Sequence, residues 1–211
     1  MLAIFLVLAF QPPPADPFAR WEKEISAIEK RQRETPPKKD GVVFAGSSTI
    51  RLWDLKKSFP DRDVANCGFG GSQIADCTHF APRLIPPLEP RAVVFYAGDN
   101  DVNAKRTPEQ VRDDFRAFAK SVHGKLPACT IYFLSIKPSV ARWAQFETQS
   151  KANALVKADM TTNDKLAYID IVPVLLGPDG KPKPEWFVKD GLHLSEKGYE
   201  LVATEVKKAV K

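Results

Sequence analysis

Two kinds of hydrophobic pattern alternate along this chain. Short, largely apolar runs occur at Val42-Val43-Phe44-Ala45, Val64-Ala65-Asn66, residues 92–97, Thr130-Ile131-Tyr132-Phe133-Leu134 and Leu166-Ala167-Tyr168-Ile169-Asp170. Runs of this length, bounded by turn formers, predict buried strands. Between them apolar residues recur at helical spacing. Phe18, Trp21, Ile25 and Ile28 share one face of a predicted helix, which Thr35-Pro36-Pro37 ends. Thr49-Ile50-Arg51-Leu52-Trp53 can begin another, and a further helix follows Gly71. Thr107-Pro108-Glu109-Gln110 has capping-box spacing with proline at the first helical position, and Val111, Phe115, Phe118 and Val122 form the inner stripe. Helices are also predicted around residues 142–160 and from about Ser195, the last with Tyr199, Val202, Val206 and Ala209 inward.

Five strands separated by helices predict an α/β fold: a parallel sheet with helices on both faces. Ligands in such sheets sit beyond the carboxyl ends of the strands. In strand order 2-1-3-4-5, the exits of the first three strands share one crevice. Roughly twenty residues separate the fifth strand from the last helix, and a loop of that length is usually functional or disordered.

At 211 residues the chain is long enough for a sizeable core, and one domain is expected over residues 17–211. Residues 1–16 read as an apolar segment followed by a proline-rich linker. Met1–Phe10 is too short to span a bilayer and resembles the apolar part of an export signal. It has no preceding basic residue and no clean small-x-small site. A periplasmic or extracellular protein is expected, with a cytoplasmic one as the alternative. The net charge of +5 comes from scattered basic residues and two small runs, so a nucleic-acid partner is not expected. Cys67, Cys77 and Cys129 have no zinc-ligand spacing. Cys67 and Cys77 could pair, or all three could be buried thiols. Cys67 as a nucleophile lacks a third supporting group.

Four segments at or beyond predicted strand ends carry chemistry. Gly46-Ser47-Ser48 puts hydroxyls where the first strand breaks. Ser48 could be a nucleophile, with Ser47 and Thr49 as rivals, or all three could cap a helix. Gly70-Gly71 allows a turn with an unshielded N–H that could donate to an oxyanion, or a plain turn. Neither segment matches a dinucleotide or phosphate-binding loop. Asn100, flanked by Asp99 and Asp101, could supply an amide donor or form a turn. Asp99 and Asp101 read as loop-organising carboxylates. Asp190-Gly191-Leu192-His193 places a carboxylate and an imidazole three residues apart, enough for a general base and its orienting acid. His79 and His123 read as surface or core residues. Lys137, Arg142 and Trp143 could line the crevice, although ordinary loop and helix-start roles fit them as well.

The four segments together resemble the SGNH (GDSL-type) hydrolases over Val42 to Val206, most nearly bacterial proteins similar to platelet-activating-factor acetylhydrolase. The resemblance implies a flavodoxin-like three-layer fold and ester hydrolysis without metal or cofactor. It aligns Ser48 with the nucleophile, Asp190 and His193 with acid and base, and the Ser48 N–H, Gly71 and Asn100 with the oxyanion hole. The family's Gly-Asp-Ser is here Gly46-Ser47-Ser48, and the missing carboxylate is not a triad member. The expectation is a serine esterase acting on short acyl esters of small molecules or carbohydrates. A carbohydrate O-deacetylase and an inactive binding module on the same fold are the alternatives.

Overall fold

The computed structural model describes residues 16–211; the segment expected to act as an export signal lies outside them. α1 (Glu22–Glu34) precedes β1 (Val42–Gly46), and two single-turn helices, α2 (Ser48–Arg51) and α3 (Leu55–Ser58), lead to β2 (Val64–Gly68). The chain continues through α4 (Ile74–Leu84), β3 (Ala92–Tyr96), α5 (Asp99–Asn103), α6 (Pro108–His123) and β4 (Thr130–Leu134). α7 (Phe146–Asp159), β5 (Leu166–Ile169), α8 (Val172–Leu175) and α9 (Glu196–Ala209) complete it. All pairings are parallel, in the order β2-β1-β3-β4-β5. The fold is the α/β three-layer sandwich expected, with flavodoxin-like strand order. Among the described residues no helix is long and apolar enough to cross a membrane.

Strand periodicity divides the core in two. Val43, Ala45, Val93, Phe95, Ile131 and Phe133 point to one face and pack under α1, α4, α6 and α7. Val42, Phe44, Val94, Tyr96 and Leu134 point to the other and pack under α2, α3, α8 and α9. With both faces covered, nearly every position of the central strands is apolar, which explains their continuous hydrophobic runs. The capping box of α6 forms as its spacing predicts: the Thr107 hydroxyl accepts from the Gln110 N–H and the Gln110 amide oxygen accepts from the Thr107 N–H.

Two connections differ from expectation. The helix expected over Thr49–Trp53 stops at Arg51, because Trp53 turns into the core and the Asp54 carboxylate accepts the Lys57 N–H, starting α3. The stretch after β5 is not an open loop. It contains α8, a bridge between Leu176 and Pro182, a 3-10 turn at Pro184–Trp186 and a bridge between Phe187 and Leu194.

The β1 exit depends on Gly46. Its φ is +136°, and a Cβ there would lie 1.9 Å from the Tyr96 carbonyl oxygen. This close approach lets the Ser47 N–H donate to that carbonyl at 2.9 Å.

Asp101 is fully buried, and one of its oxygens accepts the Ile74 N–H at the start of α4. Its other oxygen has no partner among the described residues. Burial pushes this carboxyl up to about 6, partly offset by the Ile74 N–H. The folded state therefore holds a proton that the unfolded chain, near 3.8, releases earlier. That stabilisation is complete at low pH and is lost as pH rises through about 6.

Urea midpoints for wild type and Asp101→Asn at pH 5 and pH 8 test this. Wild type should lose about 1 kcal/mol relative to the variant between these two values; parallel pH curves would refute the assignment. Phe95 is completely buried, with its ring stacked 3.9 Å from Phe118. Phe95→Ala should cost about 3–5 kcal/mol in chemical denaturation.

Candidate active site

The first sequence segment resolves into one accessible hydroxyl. Ser47 and Thr49 are buried, whereas Ser48 is partly exposed at the first position of α2. Ser47 occupies the cap position but its side chain makes no capping bond; its carbonyl receives the Ile50 and Arg51 N–H groups instead. Asn66 pins this turn from the neighbouring strand. Its amide donates to the Ile50 carbonyl at 2.7 Å and its oxygen accepts the Gly68 N–H at 2.9 Å. In the sequence Asn66 shows only as a polar residue inside a strand.

The Ser48 hydroxyl meets His193. Ser48 Oγ and His193 Nε2 are 3.0 Å apart, across 145 residues of chain. On the other side of the ring, Nδ1 lies 2.6 Å from Asp190 Oδ2. A carboxylate only accepts, so Nδ1 carries the hydrogen and Nε2 presents its lone pair to the serine. Asp190 Oδ1 accepts the backbone N–H groups of Leu192 and His193 at 2.8 and 2.9 Å. The hydrogen bond from the His193 ring, joined by those two N–H groups, holds the Asp190 carboxyl down at about 2. Three-residue spacing thus brings acid and imidazole together within a single turn.

Gly71 is exposed, with φ of +70° and open space where a Cβ would stand. Its N–H and that of Ser48 make no hydrogen bond among the described residues. The turn is anchored from the start of α1 and the residue before it: the Trp21 indole donates to the Gly70 carbonyl at 2.8 Å and Glu24 accepts the Gly70 N–H at 3.0 Å. Asn100 sits at the start of α5, its amide nitrogen 3.0 Å from the Ser72 carbonyl. The β2 and β3 exits are therefore hydrogen-bonded to each other.

Beneath Asn100 lies a cluster that the sequence only hinted at. Lys137 and Asp99 are both buried, with Nζ 3.3 Å from Asp99 Oδ2 and 2.8 Å from the Leu192 carbonyl. Arg142 Nη1 is 2.7 Å from Asp99 Oδ1, and Gln149 donates to the same oxygen. Burial alone would raise the Asp99 carboxyl; Lys137 and Arg142 outweigh it and hold it below its ordinary value. Asp99 is thus an organising carboxylate, as read. Lys137 and Arg142, which loop roles also fitted, are parts of the same construction. Trp143 is half-buried and stacks on Phe146.

Other candidates fall away from this site. Cys67, Cys77 and Cys129 are free and buried, and burial pushes the Cys67 thiol up to about 12. His79 stacks on Phe18 and His123 binds the Cys129 carbonyl. Among the described residues no group of three or more His, Cys, Asp or Glu side chains could hold a metal ion. A cavity of about 590 Å³ between α3 and α9 is lined by Leu52, Trp53, Leu194 and Tyr199, but by none of Ser48, Gly71, Asn100, Asp190 or His193.

Residues 47–201 match the model of the GDSL-like lipase/acylhydrolase family. No curated protein matches the chain in sequence. Among solved structures, one from Streptococcus pneumonia named for platelet activating factor is 19% identical, with a TM-score of 0.82 over 92% of this chain and 94% of that one. A GDSL-like lipase from Bacteroides thetaiotaomicron is 19% identical, with a TM-score of 0.69 over 92% and 96%. An acetyl xylan esterase is 18% identical, with a TM-score of 0.64 over 81% and 99%. These structures share the fold, and the family match covers most of the chain. The chain belongs to the GDSL-like lipase/acylhydrolase family and is a carboxylic ester hydrolase.

Proposed function

We propose that residues 17–211 act as one serine esterase domain for short acyl esters, with Ser48, His193 and Asp190 as its triad. The observation that carries this is the unbroken chain from Ser48 Oγ through His193 to Asp190, at 3.0 and 2.6 Å. His193 Nε2 takes the hydroxyl proton while Ser48 Oγ bonds to the ester carbonyl carbon. The carbonyl oxygen becomes an oxyanion and receives the N–H groups of Ser48 and Gly71 and one N–H of Asn100. Asp190 stabilises the imidazolium that forms. The tetrahedral adduct collapses, and His193 passes its proton to the departing alcohol. Water attacks the acyl-serine by the same route, giving its proton to His193. The second collapse releases the carboxylic acid and returns the proton to Ser48.

Two features support a short acyl group. Among the described residues no long apolar insertion stands ready as a lid. An acetyl xylan esterase is among the structures that share the fold. That likeness also favours a second reading, in which the alcohol is a carbohydrate and the reaction is O-deacetylation.

A fluorophosphonate probe should label wild type and fail on Ser48→Ala; an unlabelled wild type would leave only a binding module. Ser48→Ala should lower kcat on p-nitrophenyl acetate by roughly 10⁴-fold or more. Asn100→Ala should lower it about a hundredfold. Rates on acetyl, butyryl and octanoyl esters should fall with chain length, and a flat or rising series would sink the short-acyl assignment. Acetate release from acetylated xylan, set against simple acetate esters, separates the two readings.

A further inference from the structure

We propose that Arg142 is a positioning residue for ester hydrolysis, holding the Asn100 amide in the one orientation that offers an N–H to the oxyanion and polarising it. The inference rests on the oxyanion role given to Asn100 above. An asparagine side chain can enter a site in two flipped orientations, which exchange its oxygen and its NH₂. Only one of them points a donor into the crevice.

Two partners of opposite character remove the ambiguity. A guanidinium only donates, and Nη1 and Nη2 of Arg142 both lie 3.2 Å from Asn100 Oδ1. A carbonyl only accepts, and that of Ser72 lies 3.0 Å from Asn100 Nδ2. A flipped amide would set NH₂ against the guanidinium and oxygen against the carbonyl, so both contacts would become repulsive. In the held orientation one N–H is spent on Ser72. The other has no partner among the described residues and is free for a substrate oxygen.

Arg142 is itself fixed. Its side chain is only 15% exposed, and Asp99 holds Nη1 at 2.7 Å while Lys137 occupies the other Asp99 oxygen. The guanidinium is shared between Asp99 and Asn100, so it places positive charge directly on the Asn100 carbonyl oxygen. A cation on an amide oxygen draws electron density from the nitrogen and makes its N–H a stronger donor. The benefit grows as negative charge develops on the substrate, so it belongs in kcat and not in KM. The side-chain hydrogen bonds of Arg142 go to Asp99 and Asn100, and of these two only Asn100 is given a direct part in the proposed reaction.

A double-mutant cycle on the full chain tests this, with p-nitrophenyl acetate as substrate. Arg142→Met should lower kcat by about 10- to 100-fold with KM changed less than about threefold. Arg142→Lys, whose single ammonium cannot span both oxygens, should recover part of that loss. In an Asn100→Ala background, Arg142→Met should lower kcat by less than about a further threefold. Losses that multiply, or a raised KM with kcat intact, would overturn the inference while leaving the role of Asn100 standing. An Asn100→Ala enzyme with wild-type kcat would instead overturn the oxyanion role, and this inference with it. Should Arg142→Met fail to fold, Arg142→Lys carries the cycle: it should lower kcat by less than about tenfold with KM little changed, and that loss should vanish in the Asn100→Ala background, whereas losses that multiply would overturn the inference.

Discussion

Asp99 is a carboxylate buried at the start of α5, and the arrangement of the crevice depends on its being charged and fully paired. A buried carboxylate without partners costs several kcal/mol, so the positions of Lys137, Arg142 and Gln149 around it are tightly constrained. Each partner does a second job. Lys137 reaches the Leu192 carbonyl inside the segment that carries Asp190 and His193. Arg142 reaches Asn100, and the Ala141 N–H donates to the Gly191 carbonyl at 3.0 Å. The loop between β4 and α7 thereby ties the Asp190–His193 segment to Asn100. In the proposed reaction, groups held in this way need little reorganisation as charge develops.

The sheet supplies the coarse placement on which this refinement acts. With β1 between β2 and β3, the loops bearing Ser48, Gly71 and Asn100 leave adjacent strands at the same end. Hydrogen bonds from Asn66 to the Ile50 carbonyl and from Asn100 to the Ser72 carbonyl then join those loops across the strand exits. His193 arrives from the far edge of the sheet. It gets there on a structured connection, in which α8, two isolated bridges and the cap of α9 by Ser195 replace what would be a floppy span. Trp21 and Glu24, at the start of α1, brace the Gly70–Gly71 turn.

Elements with a local signature were readable in the chain. The strands, the capping box at Thr107 and the Phe115–Phe118 stripe are patterns of neighbouring residues, and their periods survive into the fold. Ser48, Asp190 and His193 were legible because each stands at a break in such a pattern. The early end of α2 at Arg51 is less legible, because the competing cap at Asp54 acts over only one turn. Lys137 gave no sign of being 1% exposed, since a lysine after a strand looks like any surface loop residue. Asn66, Glu24 and Gln149 act through partners 16, 46 and 50 residues away, and no periodicity marks such pairs.

The amino-acid order alone determined the α/β class, the number of strands, and which residues could serve as hydroxyl, imidazole and carboxylate. These follow from side-chain chemistry and from short-range alternation, which any sequence displays openly. Tertiary structure decided which hydroxyl is reachable, how the histidine ring is turned, and which way the Asn100 amide points. Those choices depend on hydrogen bonds and burial between segments far apart in the chain, and such contacts exist only once the sheet has brought the segments together.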